Sequence, residues 1–89
     1  MPKEFFKDPD AVLDYQVDWS DWLVSDTINT STWIVPTGIV NDSDTNTTTA
    51  ATIWLSGGTI GTNYSLVSRI VTAGGRTDDR TITIMVRGR

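Results

Sequence analysis

The feature that most limits how this chain can fold is a strict alternation that begins at residue 13. Leu13, Tyr15, Val17 and Trp19 fall on one side of an extended backbone, and Asp14, Gln16 and Asp18 fall on the other. A period of two with one apolar side is the signature of a half-buried β-strand. The pattern returns over residues 64–72, where Tyr64, Leu66, Ser68 and Ile70 oppose Val67, Arg69 and Val71. It returns again from about Arg80 to Val86, with Ile82, Ile84 and Val86 against Thr81, Thr83 and Met85. Trp33 and Val35 share a face in the run 27–35, and Ile53 and Leu55 share one in the run 51–55. Nowhere do ten residues offer the i, i+3, i+4 spacing of an amphipathic helix.

The breaks between these runs carry turn chemistry. Ser20-Asp21-Trp22-Leu23 interrupts the alternation and predicts a turn or a single helical turn. Pro36-Thr37-Gly38 ends the second run because proline has no ladder donor. Gly57-Gly58 ends the third, and Ala73-Gly74-Gly75-Arg76 predicts a hairpin connection. The polar stretch 41–49 predicts a long exposed hairpin tip that runs into the next strand. Residues 1–10 are expected to form an N-terminal arm ahead of one domain, 11–89, since 89 residues provide for one core and not two. Six to seven short strands with regular turn signals predict an all-β fold, an immunoglobulin-like (fibronectin type III-like) antiparallel sandwich, with a small open barrel as its competitor. Gly61-Thr62-Asn63-Tyr64 resembles a tyrosine corner, in which Tyr64 would bury its ring and return its hydroxyl to a backbone group several residues upstream.

Reactive chemistry is scarce. The chain has neither cysteine nor histidine, which removes disulfides, thiolate metal sites, thiol nucleophiles and the commonest general base. Asp14 and Asp18 alternate outward as a solvated strand face would. Asp78-Asp79 and Asn41-Asp42-Ser43-Asp44 imitate calcium ligands but lack the full spacing of a calcium loop. Gly57-Gly58-Thr59 and Gly74-Gly75-Arg76 precede no helix, so hairpin turns account for them better than phosphate binding does. No catalytic residue, metal or cofactor is expected, and the chain is read as a non-enzyme. No apolar run approaches the ~20 residues of a membrane helix and no leader is evident, so a soluble protein made without a signal peptide is expected, with no membrane partner.

The formal net charge of −4 disfavours a general role on nucleic acid, and the charge is unevenly placed. Residues 1–26 hold seven carboxylates against two lysines, whereas residues 69–89 hold five arginines against two aspartates. Opposite ends of this kind pair within one fold, lie on solvated faces, or join one copy to the next.

Four tryptophans are many for this length. Trp19 and Trp33 fall in register with core residues, while Trp54 points opposite to Ile53 and Leu55, and Trp22 lies in a turn. Phe5 and Phe6 precede the first alternating run. Leaving such rings in water forgoes ~1.5–3 kcal/mol each, so they either insert into a partner or fold back over the open end of the sandwich. Phe5, Phe6, Trp22, Trp54 and Arg76 are the candidate assembly-interface residues.

Several segments also resemble a known group of proteins. They are Lys7-Asp8-Pro9-Asp10-Ala11-Val12-Leu13-Asp14-Tyr15, Asp18-Trp19-Ser20-Asp21-Trp22-Leu23, and Asp26-Thr27-Ile28 leading to Ser31-Thr32-Trp33. Trp54-Leu55-Ser56-Gly57-Gly58-Thr59, with Gly61 and Tyr64, and the run from Arg69 to Arg80 continue the likeness. Together they are similar to small tailed-bacteriophage virion proteins of the fiber-tail adaptor or neck protein group, which have an Ig-like fold. The resemblance implies a structural virion component in the neck or tail region. It would link the connector or tail tube to neighbouring virion proteins or fibers, through multiple symmetric copies. Its partners would be other virion proteins and copies of itself, and it would be made in the host cytoplasm. The competing reading is an Ig-like carbohydrate- or receptor-binding module that uses Trp22, Trp54 and loop hydroxyls.

Overall fold

The computed structural model describes residues 3–87. Pro2 of the expected arm and Arg89 of the basic end lie outside the described residues. Among the described residues, seven strands and one helical turn follow in the order β1 (Lys3–Lys7), β2 (Leu13–Asp18), α1 (Ser20–Leu23), β3 (Ile28–Ile34), β4 (Ile39–Asn46), β5 (Ala50–Gly57), β6 (Asn63–Thr72) and β7 (Thr77–Val86). They form two sheets, a four-stranded one ordered β1-β7-β6-β3 and a three-stranded one ordered β2-β5-β4. Every neighbouring pair is antiparallel except β1 and β7, which run parallel.

The two sheets meet through the apolar sides of the alternating runs. Tyr15 and Val17 from β2, Ile53 and Leu55 from β5, Leu66 and Ile70 from β6, and Ile82, Ile84 and Val86 from β7 are all buried between them. Trp19 follows the last residue of β2 yet keeps the strand's inward direction and is completely buried. Its indole Nε1 donates to Ser68 Oγ at 3.3 Å, which explains why a serine stands in the apolar row of β6. Two further links join the sheets near the end of β1. Tyr15 Oη donates to the Phe6 carbonyl at 3.2 Å, and Lys7 Nζ to the Gly57 carbonyl at 2.7 Å.

The tyrosine corner is present. Tyr64 is buried, and its hydroxyl accepts the Thr59 N–H at 3.0 Å, five residues upstream. Two left-handed glycines flank the ring. A Cβ on Gly38 (φ 106) would stand 3.0 Å from Tyr64 Cε1, and one on Gly58 (φ 97) would meet Val86 Cγ2 at 2.7 Å. Only glycine relieves both the backbone angle and the crowding.

The structure corrects two expectations. Residues 3–7 are not an arm before the domain but edge strand β1, laid in register on β7 with Phe5 opposite Ile84 and Phe6 opposite Met85. Two adjacent phenylalanines conceal the period of so short a strand, and nothing local predicts a parallel partner almost eighty residues away. The stretch 41–49 is likewise no long tip. Its first six residues belong to β4, and only residues 47–49 turn, closed by Thr47 Oγ1 accepting the Ala50 N–H at 3.1 Å. β4 is an edge strand whose residues after Ile39 are all exposed, so it reads as polar as a loop. The turn itself is docked, with the Thr48 and Thr49 carbonyls accepting the N–H groups of Ile28 and Trp19 at 2.8 Å each. The last strand also begins earlier than its apolar alternation, at Thr77.

Candidate functional site

The fold distributes the five candidate contact residues over three places. Trp22 and Arg76 come together at the end of the sandwich where α1 meets the β6–β7 hairpin. The turn starts on Asp18, whose Oδ1 accepts the Ser20 N–H at 2.9 Å, and Leu23 anchors it in the core. Trp22 is half-buried, edge-on to Trp19 at 5.4 Å between ring centroids. The Arg76 guanidinium lies 4.3 Å from the Trp22 centroid, and that of Arg80 lies 4.3 Å from the Trp19 centroid. Two edge-to-face indoles are thus each capped by a cation, a contact worth ~0.5–2 kcal/mol each according to solvation.

Carboxylate and carbonyl oxygens hold these arginines in place. Arg76 Nη2 donates to the Leu23 carbonyl and to Asp26 Oδ2, both at 3.2 Å, and Arg80 Nη1 donates to the Asp18 carbonyl at 3.0 Å. Asp26 Oδ1 also accepts the N–H groups of Thr27 at 2.8 Å and Gly74 at 3.1 Å. Hydrogen bonds from the Thr72 side chain, from the Thr27 and Gly74 amides and from Arg76 pull the Asp26 carboxyl down to about 2. Part of the charge asymmetry along the sequence is therefore satisfied inside the fold, across fifty residues. Sequence reasoning singled out neither Asp26 nor Arg80, because each acquires its role only when the two ends meet. Beside them, Val24 is 86% exposed and holds φ 60 and ψ −100, an unusual conformation for a β-branched residue. No local sequence signal marks it.

β1 separates the two phenylalanines, since neighbours on a strand point to opposite faces. Phe5 packs inward on Tyr15 at 5.2 Å between centroids, while Phe6 is 68% exposed on the outer face of the four-stranded sheet. Neither of the two joint fates expected for the pair describes both rings. The next residue, Lys7, is 1% exposed and donates to the Asp8 and Gly57 carbonyls. Burial lowers its pKa, and the charges of Asp8, Asp10 and Asp42 oppose that shift.

Trp54 stands on the opposite side of the molecule, 41% exposed on the outer face of the three-stranded sheet. It lies in register between Asp14 on β2 and Ser43 on β4.

The acidic motifs are engaged by neighbouring side chains. Asp79 is engaged bidentately by Arg69, at 2.7 and 2.9 Å. That pairing holds the Asp79 carboxyl below its ordinary value. With Thr77 and Asp78 the pair lines an open depression of about 380 Å³. Asn41 Nδ2 donates to Asp44 Oδ2 at 2.9 Å, and Asp42 Oδ1 accepts from Ser56 Oγ at 2.8 Å, so this acidic turn imitation is spent on the edge strand itself. Among the described residues no three side chains of His, Cys, Asp or Glu type gather as metal ligands would. Nor is any helix among them long and apolar enough to cross a membrane.

Residues 7–85 match the family model described as podophage GP4 fiber-tail adaptor protein gp77. The chain belongs to this family. It is accordingly a structural protein of the phage fiber-tail adaptor type, whose partners are other virion proteins. The PKD domain of the KIAA 1837 protein, solved in solution, shares the architecture with a TM-score of 0.57. The two are 16% identical, and the match covers 99% of this chain and 81% of that one. At that identity the likeness establishes an Ig-like sandwich and nothing of function. No curated protein matches the sequence. Of the adaptor's candidate contact residues, Phe6 and Trp54 are left with exposed rings on opposite sheets, Trp22 and Arg76 occupy one end, and Phe5, partly buried, packs against the core.

Proposed function

We propose that this chain is a non-catalytic adaptor that joins the neck or tail of the virion to the fiber, working in multiple symmetric copies at the head–tail junction. The observation that carries the reading is the exposure of a large aromatic on each outer sheet face, Phe6 at 68% and Trp54 at 41%. A linker must contact at least two neighbours, and exposed aromatics on opposite sides of one small sandwich suit two separate contacts. On this reading the chain binds copies of itself as well as other virion proteins, and needs neither nucleic acid nor membrane. The described residues form one sandwich, and the domain is proposed to be a single unit.

The carbohydrate reading has less support. Trp22 is capped by Arg76 and lies away from Trp54, so the two tryptophans do not present one stacking platform.

Imaging of purified virions by electron cryomicroscopy tests the proposal. Density for this sandwich in a ring between tail and fiber is expected. Particles that lack the chain, or a chain located away from the neck and tail, would overturn it.

A further inference from the structure

The three-stranded sheet carries charge of one sign. β2, β4 and β5 contain Asp14, Asp18, Asp42 and Asp44 and neither lysine nor arginine. Arg69 and Arg80 belong to the other sheet, so the asymmetry along the sequence becomes an asymmetry between sheets. Trp54 stands within the outer face of this negative sheet, directly opposite Asp14. Cβ atoms of such cross-strand neighbours lie ~4.5–5.5 Å apart.

The molecule itself shows what occupies an indole beside an oxygen acceptor. Trp22 and Trp19 each lie 4.3 Å from an arginine, and each arginine is also held by a neighbouring oxygen, of Asp26 and Leu23 for Arg76 and of Asp18 for Arg80. Trp54 with Asp14 offers the two-part acceptor that Trp22 and Asp26 offer Arg76, an indole face and a carboxylate. Among the described residues no cation stacks on Trp54, and Asp14 makes neither an ion pair nor a side-chain hydrogen bond.

We infer that the outer face of the three-stranded sheet receives an arginine-bearing segment of another virion protein, its guanidinium over Trp54 and bonded to Asp14. The inference rests on the adaptor reading and gives one of its contacts a chemistry. Arginine suits the site better than lysine because its planar group stacks on an indole and keeps its in-plane donors for a carboxylate. The surrounding aspartates steer a basic segment to this face and repel acidic ones.

The test introduces the photo-crosslinker benzoylphenylalanine at position 16 of the full chain, the next exposed outward residue of β2 after Asp14, in virions assembled with it. Crosslinked peptides are then identified by mass spectrometry. The expected product joins position 16 to an arginine-containing segment of a different virion protein. In parallel, Trp54→Ala and Asp14→Asn are expected to weaken retention of the chain on particles about tenfold. Thr37→Ala, in the exposed turn before β4 and on neither sheet face, is expected to leave retention unchanged. Circular dichroism verifies that each variant is folded, which both exposed positions should permit.

A crosslink to a segment without basic residues overturns the inference, as does a crosslink to a saccharide. Full retention of both variants, with no crosslink, does the same while the adaptor reading stands. If the unaltered chain is missing from virions, both fall together.

Discussion

The Arg76 guanidinium stands 4.3 Å from the centroid of the Trp22 ring while its Nη2 is bonded to the Leu23 carbonyl and to Asp26. One side chain from the β6–β7 connection thereby fixes the ring, the end of α1 and the entry to β3. Arg76→Ala is expected to destabilise the fold by about 1–2 kcal/mol, through the lost stacking and hydrogen bonds. Arg76→Lys should recover only part of this, since an ammonium cannot stack and bridge at once. Urea unfolding followed by tryptophan fluorescence measures both, and equal stability of Arg76→Ala and the unaltered chain would count against the contact.

Asp26 makes the same corner sensitive to acid. Its carboxyl titrates at about 2 in the fold, below the ~3.9 of an unfolded aspartate. Because the folded value is depressed, the stabilisation is fully present above the unfolded pKa and is lost as pH falls through the folded one. Unfolding measured from pH 5 to pH 2 should therefore show a progressive loss that Asp26→Asn removes. Stability of Asp26→Asn at neutral pH should be lower than that of the unaltered chain.

Tyr64→Phe keeps the ring and removes the acceptor for the Thr59 N–H. A fall in Tm of roughly 5 °C is expected, with the sandwich intact. Differential scanning calorimetry provides the measurement, and an unchanged Tm would mean that water replaces the hydroxyl without cost.

Gly58→Ala should be more damaging. It forces a side chain onto φ 97 and places a Cβ 2.7 Å from Val86 Cγ2 in the core. Strain and overpacking together are expected to cost about 2–4 kcal/mol, against a total of roughly 5–15 for a domain. Chemical denaturation of this variant against Gly61→Ala separates the two causes, because Gly61 has positive φ but nothing within 4 Å of its added Cβ.

The two phenylalanines of β1 should differ in the same assay. Phe5→Ala removes a ring that packs on Tyr15 and is expected to cost about 1–2 kcal/mol. Phe6→Ala, at 68% exposure, should remain within about 0.5 kcal/mol of the unaltered chain. Comparable losses would contradict the inward and outward assignment along β1.

What could be read from the chain follows from the reach of each signal. The alternation through Tyr15 and Val17, through Leu66 and Ile70, and through Ile82 and Ile84 already specifies paired sheets with one buried face, because the period belongs to the backbone. Tyr64 was legible for a similar reason, since its hydroxyl partner lies only five residues away. β4 was harder, because an edge strand with polar side chains on both faces has the composition of a loop. β1 depends on a parallel neighbour from the far end of the chain.

The candidate contacts divide in the same way. Alternation alone turned Trp54 away from the core and Trp19 into it. That Trp22 is capped by Arg76, that Asp26 closes the cap, and that Phe5 and Phe6 have opposite fates came from tertiary pairing between segments that carry no mark of one another. Local sequence thus determined an all-β chain, its buried faces and its want of cysteine and histidine, because these depend on residue type and short-range period. Tertiary structure decided which charges are spent within the fold and which aromatics remain in water. Those outcomes depend on which distant strands and turns are brought side by side.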